Sequence, residues 1–351
     1  MPNTQAPFDY PGPAHPLRPV AFVPVSVVIV NFNAGDFLAA AVESVFAQTG
    51  IALEVLVVDN ASRDDSLGTL RARVLDPRLR IVEAVANTGF ASACNSGLAE
   101  ARGDPVLFLN PDCRMRAGAL ARLLDELARH PEAGMAGPLI VNPDGNEQRG
   151  CRRDIPNPWQ IFCVAFGLHR LMFEHPRFRA YTHDSVALPS GPSLVPAISG
   201  ACMLVRRRAI AAAGTLDPAY FLHFEDLDWC LRFGRAGLGV LFVPGAVVEH
   251  TQGVCSASRP FRAEAAKHRS LVRFLRKNFT AFYPSSFMAA VSMLVGLRFG
   301  LVALGMLVRR RARRTVWDAV MRGPRGTLEP PRADATLLSG IRPDQAQDKI
   351  V

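Results

Sequence analysis

The chain has 351 residues, 49% of them apolar and 20% charged, which allows one large or two small domains around a sizeable core and excludes a disordered polypeptide. Its formal charge of +9 is concentrated: residues 259–325 hold fifteen Lys/Arg against two Asp/Glu, and a basic C-terminal third on a neutral-to-acidic body points to an anionic partner. Seven cysteines at 94, 113, 151, 163, 202, 230 and 255 show no Cys-x-x-Cys spacing, which speaks against a disulfide framework or structural zinc and for a reducing compartment.

Residues 1–24 carry seven prolines without the basic, apolar, small-residue order of a signal peptide; they read as an extended arm. VSVVIVNFN (25–33) is a β-branched run expected to form a strand buried on both faces. DFLAAAVESVFAQ (36–48) has helical spacing. LEVLVVDNAS (53–62) is a second buried strand, and 62–75 a helix with Ser62 as its N-cap. LRIVEAVAN (79–87) is a third strand, TGFASACNSGLAEA (88–101) a small-residue helix and VLFLNPDC (106–113) a fourth strand. This alternation predicts an α/β fold with a mostly parallel sheet flanked by helices. No Gly-x-Gly-x-x-Gly follows the first strand, so the dinucleotide fingerprint is missing.

Further on, a helix is expected over 117–129 and a strand with a turn over 134–145. The Asn-Pro-Asp of that turn repeats residues 110–112, but GNEQRG follows it, and the copy reads as a structural hairpin loop. Residues 151–195 show little periodicity and read as loops. A strand is expected at 198–207, a helix from near Glu225 or Asp226, and two strands joined by a turn over 240–256, the second ending at His250. Residues from about 323 onward read as a loose polar tail.

In parallel sheets, ligands bind at the carboxyl ends of the strands. The four expected strands end in Asn31-Phe32-Asn33, in Asp59-Asn60, near Asn87, and in Asn110-Pro111-Asp112. One such ending is ordinary turn chemistry; four on one edge form a polar site, with Asp59 and Asp112 as its candidates. The stretch FLHFEDLDWCLRFGRAG (221–237) places three acids in four residues beside a Trp. Acids favour a helix N-terminus, and crowded carboxylates also raise one another's pKa, which suits a general base. His250 after a strand is either structural or, near Asp112, a metal ligand.

Taken in order, VSVVIVNFN, VLVVDNAS, NTGFASACNSGL, VLFLNPD, SGACMLVRR, YFLHFEDLDWCLR and His250 resemble the family 2 glycosyltransferases of GT-A fold, in particular the bacterial rhamnosyltransferase-type branch, over about residues 25–256. The resemblance implies a nucleotide half (about 25–115) and an acceptor half (about 116–256). It implies a nucleotide-diphosphate sugar donor, dTDP-rhamnose favoured over UDP-sugars, and a Mg²⁺ or Mn²⁺ ion offsetting the diphosphate charge. Asp59 would read the base, with Asn31, Asn33, Asn87, Gly89, Asn95 and Asn110 along the nucleotide. Asp112 and His250 would hold the metal, Asn110 standing where the family has an acid. Asp226 would be the catalytic base, Glu225 and Trp229 would shape the acceptor site, and Arg232 matches a motif arginine or forms a salt bridge within its helix. The acceptor implied is a glycan or a lipid-linked sugar.

The basic extension over 257–322 contains an apolar run, 287–308, long enough to cross a bilayer and followed by five arginines within 309–314. Three readings stand: an interfacial anchor, a single span, and a helix packed on another chain. Membrane association suits the flanking basic residues, with the enzyme expected at the cytoplasmic face of a bacterial inner membrane. A non-catalytic nucleotide-sugar scaffold is the competing function. Nucleic-acid binding is disfavoured, because no groove-reading motif accompanies the charge.

Overall fold

The computed structural model describes residues 24–166, 168, 187–257 and 260–321; the expected arm, apart from residue 24, and the expected tail lie outside the described residues. Two compact units are present. Among the described residues, the first comprises residues 24–155 with 187–274, and the second residues 156–168 with 275–321.

The first unit opens with β1 (Val25–Asn31), α1 (Asp36–Phe46), β2 (Leu53–Asp59), α2 (Ser66–Arg73), β3 (Leu79–Glu83), α3 (Phe90–Glu100) and β4 (Val106–Leu109). It continues with β5 (Cys113–Met115), α4 (Ala119–Arg129), β6 (Ala133–Val141) and β7 (Arg152–Arg153). Then α5 (Pro158–Ala165) belongs to the second unit. The first unit resumes with β8 (Ser193–Leu194), β9 (Ala197–Ile198), β10 (Cys202–Val205), α6 (Arg207–Ala213), α7 (Glu225–Arg235), β11 (Gly239–His250) and α8 (Val254–Ala257). The division falls within α9 (Pro260–Phe279), and α10 (Ser285–Met321) lies in the second unit.

The main sheet has the order β3-β2-β1-β4-β10-β6-β11-β5, with β8 also on β11. Strands β3, β2, β1, β4, β6 and β11 share one direction; β10, β5 and β8 run against it. Every residue of β1 and β4 is buried, as a continuous apolar run in a covered sheet should be. Helix α3 packs on β1 and β2, and α4 on β6 and β11. The approach of α3 is close: a Cβ on Gly97 would lie 2.4 Å from Val28 Cγ1 and 3.0 Å from Val58 Cγ2.

Several expectations shift for local reasons. Helix α2 starts at Ser66 rather than Ser62, because the Ser62 hydroxyl accepts instead from the Asn33 backbone N–H at 3.0 Å. Strand β3 stops at Glu83, short of Asn87. The Pro244-Gly245 turn does not split the last strand: β11 runs unbroken to His250 and absorbs the irregularity as a register shift against β6 between Val243 and Val247. Residues 151–195 are not loops throughout, since α5 carries a full capping box between Asn157 and Gln160 with Pro at its first turn. Cys94, Cys113, Cys151, Cys163, Cys202 and Cys230 are buried free thiols and serve as small core residues.

In the second unit, Trp159 and Phe162 of α5 stack on one another and meet Phe287 of α10. Met288, Val291 and Val295 of α10 are buried, whereas Met293, Leu297, Leu301, Leu304 and Leu307 are exposed.

Replacing Gly97 by Val should overpack α3 against β1 and β2 and lower stability by about 1–3 kcal/mol. Urea denaturation of the purified chain checks this.

Candidate active site

Strand register assembles the site. Parallel pairing sets Asn31 opposite Asp59, and Asn31 Nδ2 donates to Asp59 Oδ1 at 2.8 Å and reaches Ser66 Oγ at 2.8 Å. The second oxygen of Asp59 accepts the Ser62 N–H at 3.0 Å. Asn33 turns the chain away from β1 with φ 53, its Oδ1 accepting from the Arg63 N–H at 2.7 Å.

Asn60, to which no role was assigned from sequence, links the next strand end. Its Oδ1 accepts from the Thr88 N–H at 2.9 Å, and its Nδ2 donates to Asn87 Oδ1 at 3.2 Å and to the Gly89 carbonyl at 3.3 Å. Asn87 thus reaches the edge although β3 ends earlier. Gly89 has φ 90, and a Cβ there would lie 2.6 Å from the Phe221 carbonyl, which also accepts the Phe90 N–H at 2.8 Å; only glycine suits the position. Asn95 Nδ2 donates to the Leu216 carbonyl at 2.7 Å, while its Oδ1 is buried without a partner.

The Asn-Pro-Asp ending of β4 is both a turn and a site. Its turn is closed by the Cys113 N–H donating to the Asn110 carbonyl at 3.1 Å. Antiparallel pairing of β5 with β11 then sets His250 opposite Cys113 and brings His250 Nε2 within 3.1 Å of Asp112 Oδ1. Asp112 and His250 are 5% and 7% exposed. Asn110 Nδ2 lies 3.5 Å from the same imidazole nitrogen, and Asn110 Oδ1 is buried with no partner. A carboxylate, an imidazole and a partnerless buried amide oxygen fit a divalent cation, and the imidazole suits Mn²⁺ better than Mg²⁺. Cys113 Sγ is also close, but it is turned to the Ala201 carbonyl at 3.5 Å, and soft sulfur suits Mg²⁺ and Mn²⁺ less well than oxygen does.

The carboxylate cluster begins α7. His223 and Phe224 before it both take left-handed backbone, at φ 65 and 68. Among the described residues, the non-glycine positions with positive φ are Asn33, Ala61, His223 and Phe224; Asn33 and Ala61 follow the ends of β1 and β2, and His223 and Phe224 precede Glu225. Strain of this kind persists where surrounding structure enforces it. Asp226 Oδ2 accepts from the Gly200 N–H at 2.9 Å and from the Arg153 guanidinium, and its Oδ1 from the Leu227 N–H at 2.8 Å. Glu225 is buried with Oε2 unpartnered. Burial, and after it the adjacent Asp226 charge, push its carboxyl up to about 8.

Two expectations for this helix resolve differently. Trp229 does not shape an acceptor surface: it is fully buried, edge-on to Phe108 and Phe233, with its Nε1–H donating to the Gly214 carbonyl at 2.8 Å. Arg232 forms the intrahelical ion pair, Nε to Asp228 Oδ2 at 2.9 Å, and ties down the Thr215 carbonyl at 2.8 Å. Arg153, which sequence reading passed over, reaches Asp226 because β7 pairs with β9; only a long-range contact carries that signal.

The family model for glycosyl transferase family 2 matches residues 26–211. An N-acetylglucosaminyl-diphospho-decaprenol L-rhamnosyltransferase of Mycobacterium tuberculosis is 31% identical over 304 residues, 82% of this chain and 95% of that protein. The succinoglycan biosynthesis protein ExoO of Rhizobium meliloti is 36% identical over 126 residues, 36% of each. Among solved structures, GalNAc-T7 with UDP, GalNAc and Mn²⁺ matches at a TM-score of 0.52 and 19% identity over 73% of this chain, which spans 48% of that one. A mannosyltransferase from Pyrobaculum calidifontis in complex with GDP-Man and Mn²⁺ matches at 0.50 and 18% identity, over 91% of this chain and 79% of that one. The likeness to these structures establishes the GT-A fold.

Glu225 makes stability depend on pH. The folded chain keeps a proton up to about 8 that the unfolded chain releases near the ordinary 4.5, so stability falls as pH rises through that window. Glu225→Gln should flatten the slope, as read by thermal denaturation across the same range; an unchanged slope would mean that Glu225 stays ionised throughout.

Proposed function

The chain belongs to glycosyl transferase family 2 and is a glycosyltransferase, and from that premise we propose an inverting, metal-dependent transfer of L-rhamnose from dTDP-rhamnose to a lipid-linked glycan acceptor in the assembly of a bacterial surface polysaccharide. The observation that carries this reading is the presence of three polar groups in one unit: the Asn31–Asp59 pair, the Asp112–His250 pair, and the Glu225–Asp226 start of α7. The Mycobacterium tuberculosis relative, named for rhamnosyl transfer to a decaprenol-linked sugar, supports the choice of sugar and of acceptor class.

Each part has a task. Asp59, held by Asn31 and the Ser62 N–H, presents its remaining lone pairs to the imide N–H of a pyrimidine. The partnerless oxygen of Asn95 and the amide of Asn87 flank the nucleotide, and Asn33 and Gly89 shape the loops around it. Asp112 and His250, beside Asn110, would hold a divalent cation, which when bound would supply positive charge to offset that of the departing diphosphate. Asp226 takes the proton of the acceptor hydroxyl, whose oxygen attacks the anomeric carbon. The bond from that carbon to the diphosphate oxygen breaks, and a single displacement inverts the centre. Arg153 and the Gly200 N–H aim Asp226, and Glu225 lies buried beside it.

We place the enzyme at the cytoplasmic face of the inner membrane. Ser285–Val308 of α10 is long and apolar enough to cross a bilayer, and 11% of its most apolar window is buried; a lipid-linked acceptor would bring the substrate to the same surface. Leu297→Asp with Leu301→Asp should reduce co-sedimentation with anionic phospholipid vesicles about tenfold or more, and unchanged co-sedimentation would remove this placement.

Calorimetric titration with UDP and dTDP, with and without Mn²⁺, tests the donor site. Metal-dependent binding is expected in the wild type and lost in Asp112→Ala; no nucleotide binding under any condition overturns the reading. Asp226→Asn should keep donor affinity while turnover drops about 10²–10⁴-fold. Turnover as fast as the wild type's would move the base elsewhere.

A further inference from the structure

The second Asn-Pro-Asp turn, at 142–144, has no part in the chemistry above, yet the hairpin it starts carries Gln148 against His250. Asn142 closes the turn by accepting the Gly145 N–H at 2.9 Å and donating its own N–H to the Asn146 carbonyl at 2.9 Å. Six residues on from Asn142, Gln148 is fixed by its backbone: its N–H donates to the Ile140 carbonyl at 2.8 Å and its carbonyl accepts the Cys151 N–H at 3.0 Å. Its side chain is 5% exposed.

The amide of Gln148 has one orientation that satisfies its neighbours. Nε2 faces two oxygens, Asn142 Oδ1 at 2.8 Å and the backbone carbonyl of His250 at 3.1 Å. Both oxygens only accept, so the donor end of the amide must point at them. Oε1 then faces His250 Nδ1 at 2.6 Å. An amide oxygen cannot donate, so Nδ1 carries the proton. In the neutral ring the lone pair therefore sits on Nε2, which is 3.1 Å from Asp112 Oδ1 and 3.5 Å from the donor nitrogen of Asn110. A bare imidazole nitrogen and a carboxylate oxygen so close need positive charge between them, which either a second ring proton or a bound cation supplies.

We propose that Gln148 is the positioning residue that holds His250 in the tautomer with Nε2 open toward Asp112, so that the 142–148 hairpin is the outer support of the metal site. A ligating histidine is commonly fixed through its other nitrogen, and loss of that partner weakens metal binding about 10- to 100-fold. The inference rests on the reading of Asp112 and His250 as metal ligands.

The test uses the full chain and two readouts. Nitrogen-15 NMR of the histidine rings, recorded across a pH series, reports the tautomer of His250. Titration with Mn²⁺ in the presence of UDP or dTDP, followed by the electron paramagnetic resonance of free Mn²⁺, reports affinity. The wild type should show the Nδ1–H tautomer. Gln148→Leu removes the accepting oxygen and should lose that tautomer and bind Mn²⁺ about 10- to 100-fold more weakly. Gln148→Glu keeps an acceptor but drops both donated bonds, and should retain the tautomer and most of the affinity. If Gln148 served only to hold the hairpin, both variants would weaken binding alike with the tautomer unchanged, and the proposal would fall. An Nε2–H ring in the wild-type chain overturns it whatever the variants do. Should the wild type bind no Mn²⁺, the metal reading fails by itself, and the tautomer comparison still decides what Gln148 does.

Discussion

The antiparallel pairing of β5 with β11 is the constraint on which the site depends. It sets His250 opposite Cys113 and so delivers an imidazole to Asp112 across the sheet edge. The hairpin at 142–148 joins through the same strand, because Gln148 bonds both the ring and the carbonyl of His250. One pairing thus positions the carboxylate, the imidazole and the amide behind it. A slip of one residue would turn His250 to the other face of the sheet and undo all three.

The rest of the edge follows the same logic in parallel strands. Asn31 meets Asp59 because β1 and β2 are in register from Val25 to Asn31. Side-chain bonds extend the edge beyond the strands, with Asn60 drawing in Asn87 and Gly89. The loop before α7 sits against the start of α3 through the Phe221 carbonyl, and the left-handed His223 and Phe224 then turn the chain into Glu225 and Asp226. Asn31 Oδ1, Asn95 Oδ1, Asn110 Oδ1, Arg153 Nε and Glu225 Oε2 are left buried without partners. Each such atom costs about 1–3 kcal/mol, and a ligand that supplies partners would recover part of that.

Helix α7 divides its acids between two tasks. Asp228 faces inward to Tyr220 and Arg232 and pins the preceding loop. Glu225 and Asp226 open the helix, where Gly200 and Arg153 reach Asp226. Trp229 anchors the helix in the core. The helix is thus held rigidly by its inward face while its first turn remains available to chemistry.

Much of this was written in the sequence. Continuous β-branched runs specify buried strands, and small-residue helices between them specify an α/β sheet, because burial and backbone geometry are local demands. The Asp and Asn endings of β1, β2 and β4, and the acids opening α7, could likewise be placed by spacing alone. Tertiary structure decided what depends on contacts distant in the chain. It put Trp229 in the core, made Ser62 a partner of Asn33 instead of a helix cap, and brought Arg153 to Asp226. It also turned Gln148 from a hairpin residue into the neighbour of His250. No periodicity encodes such contacts, since they arise from strand order and register, which only the folded sheet fixes.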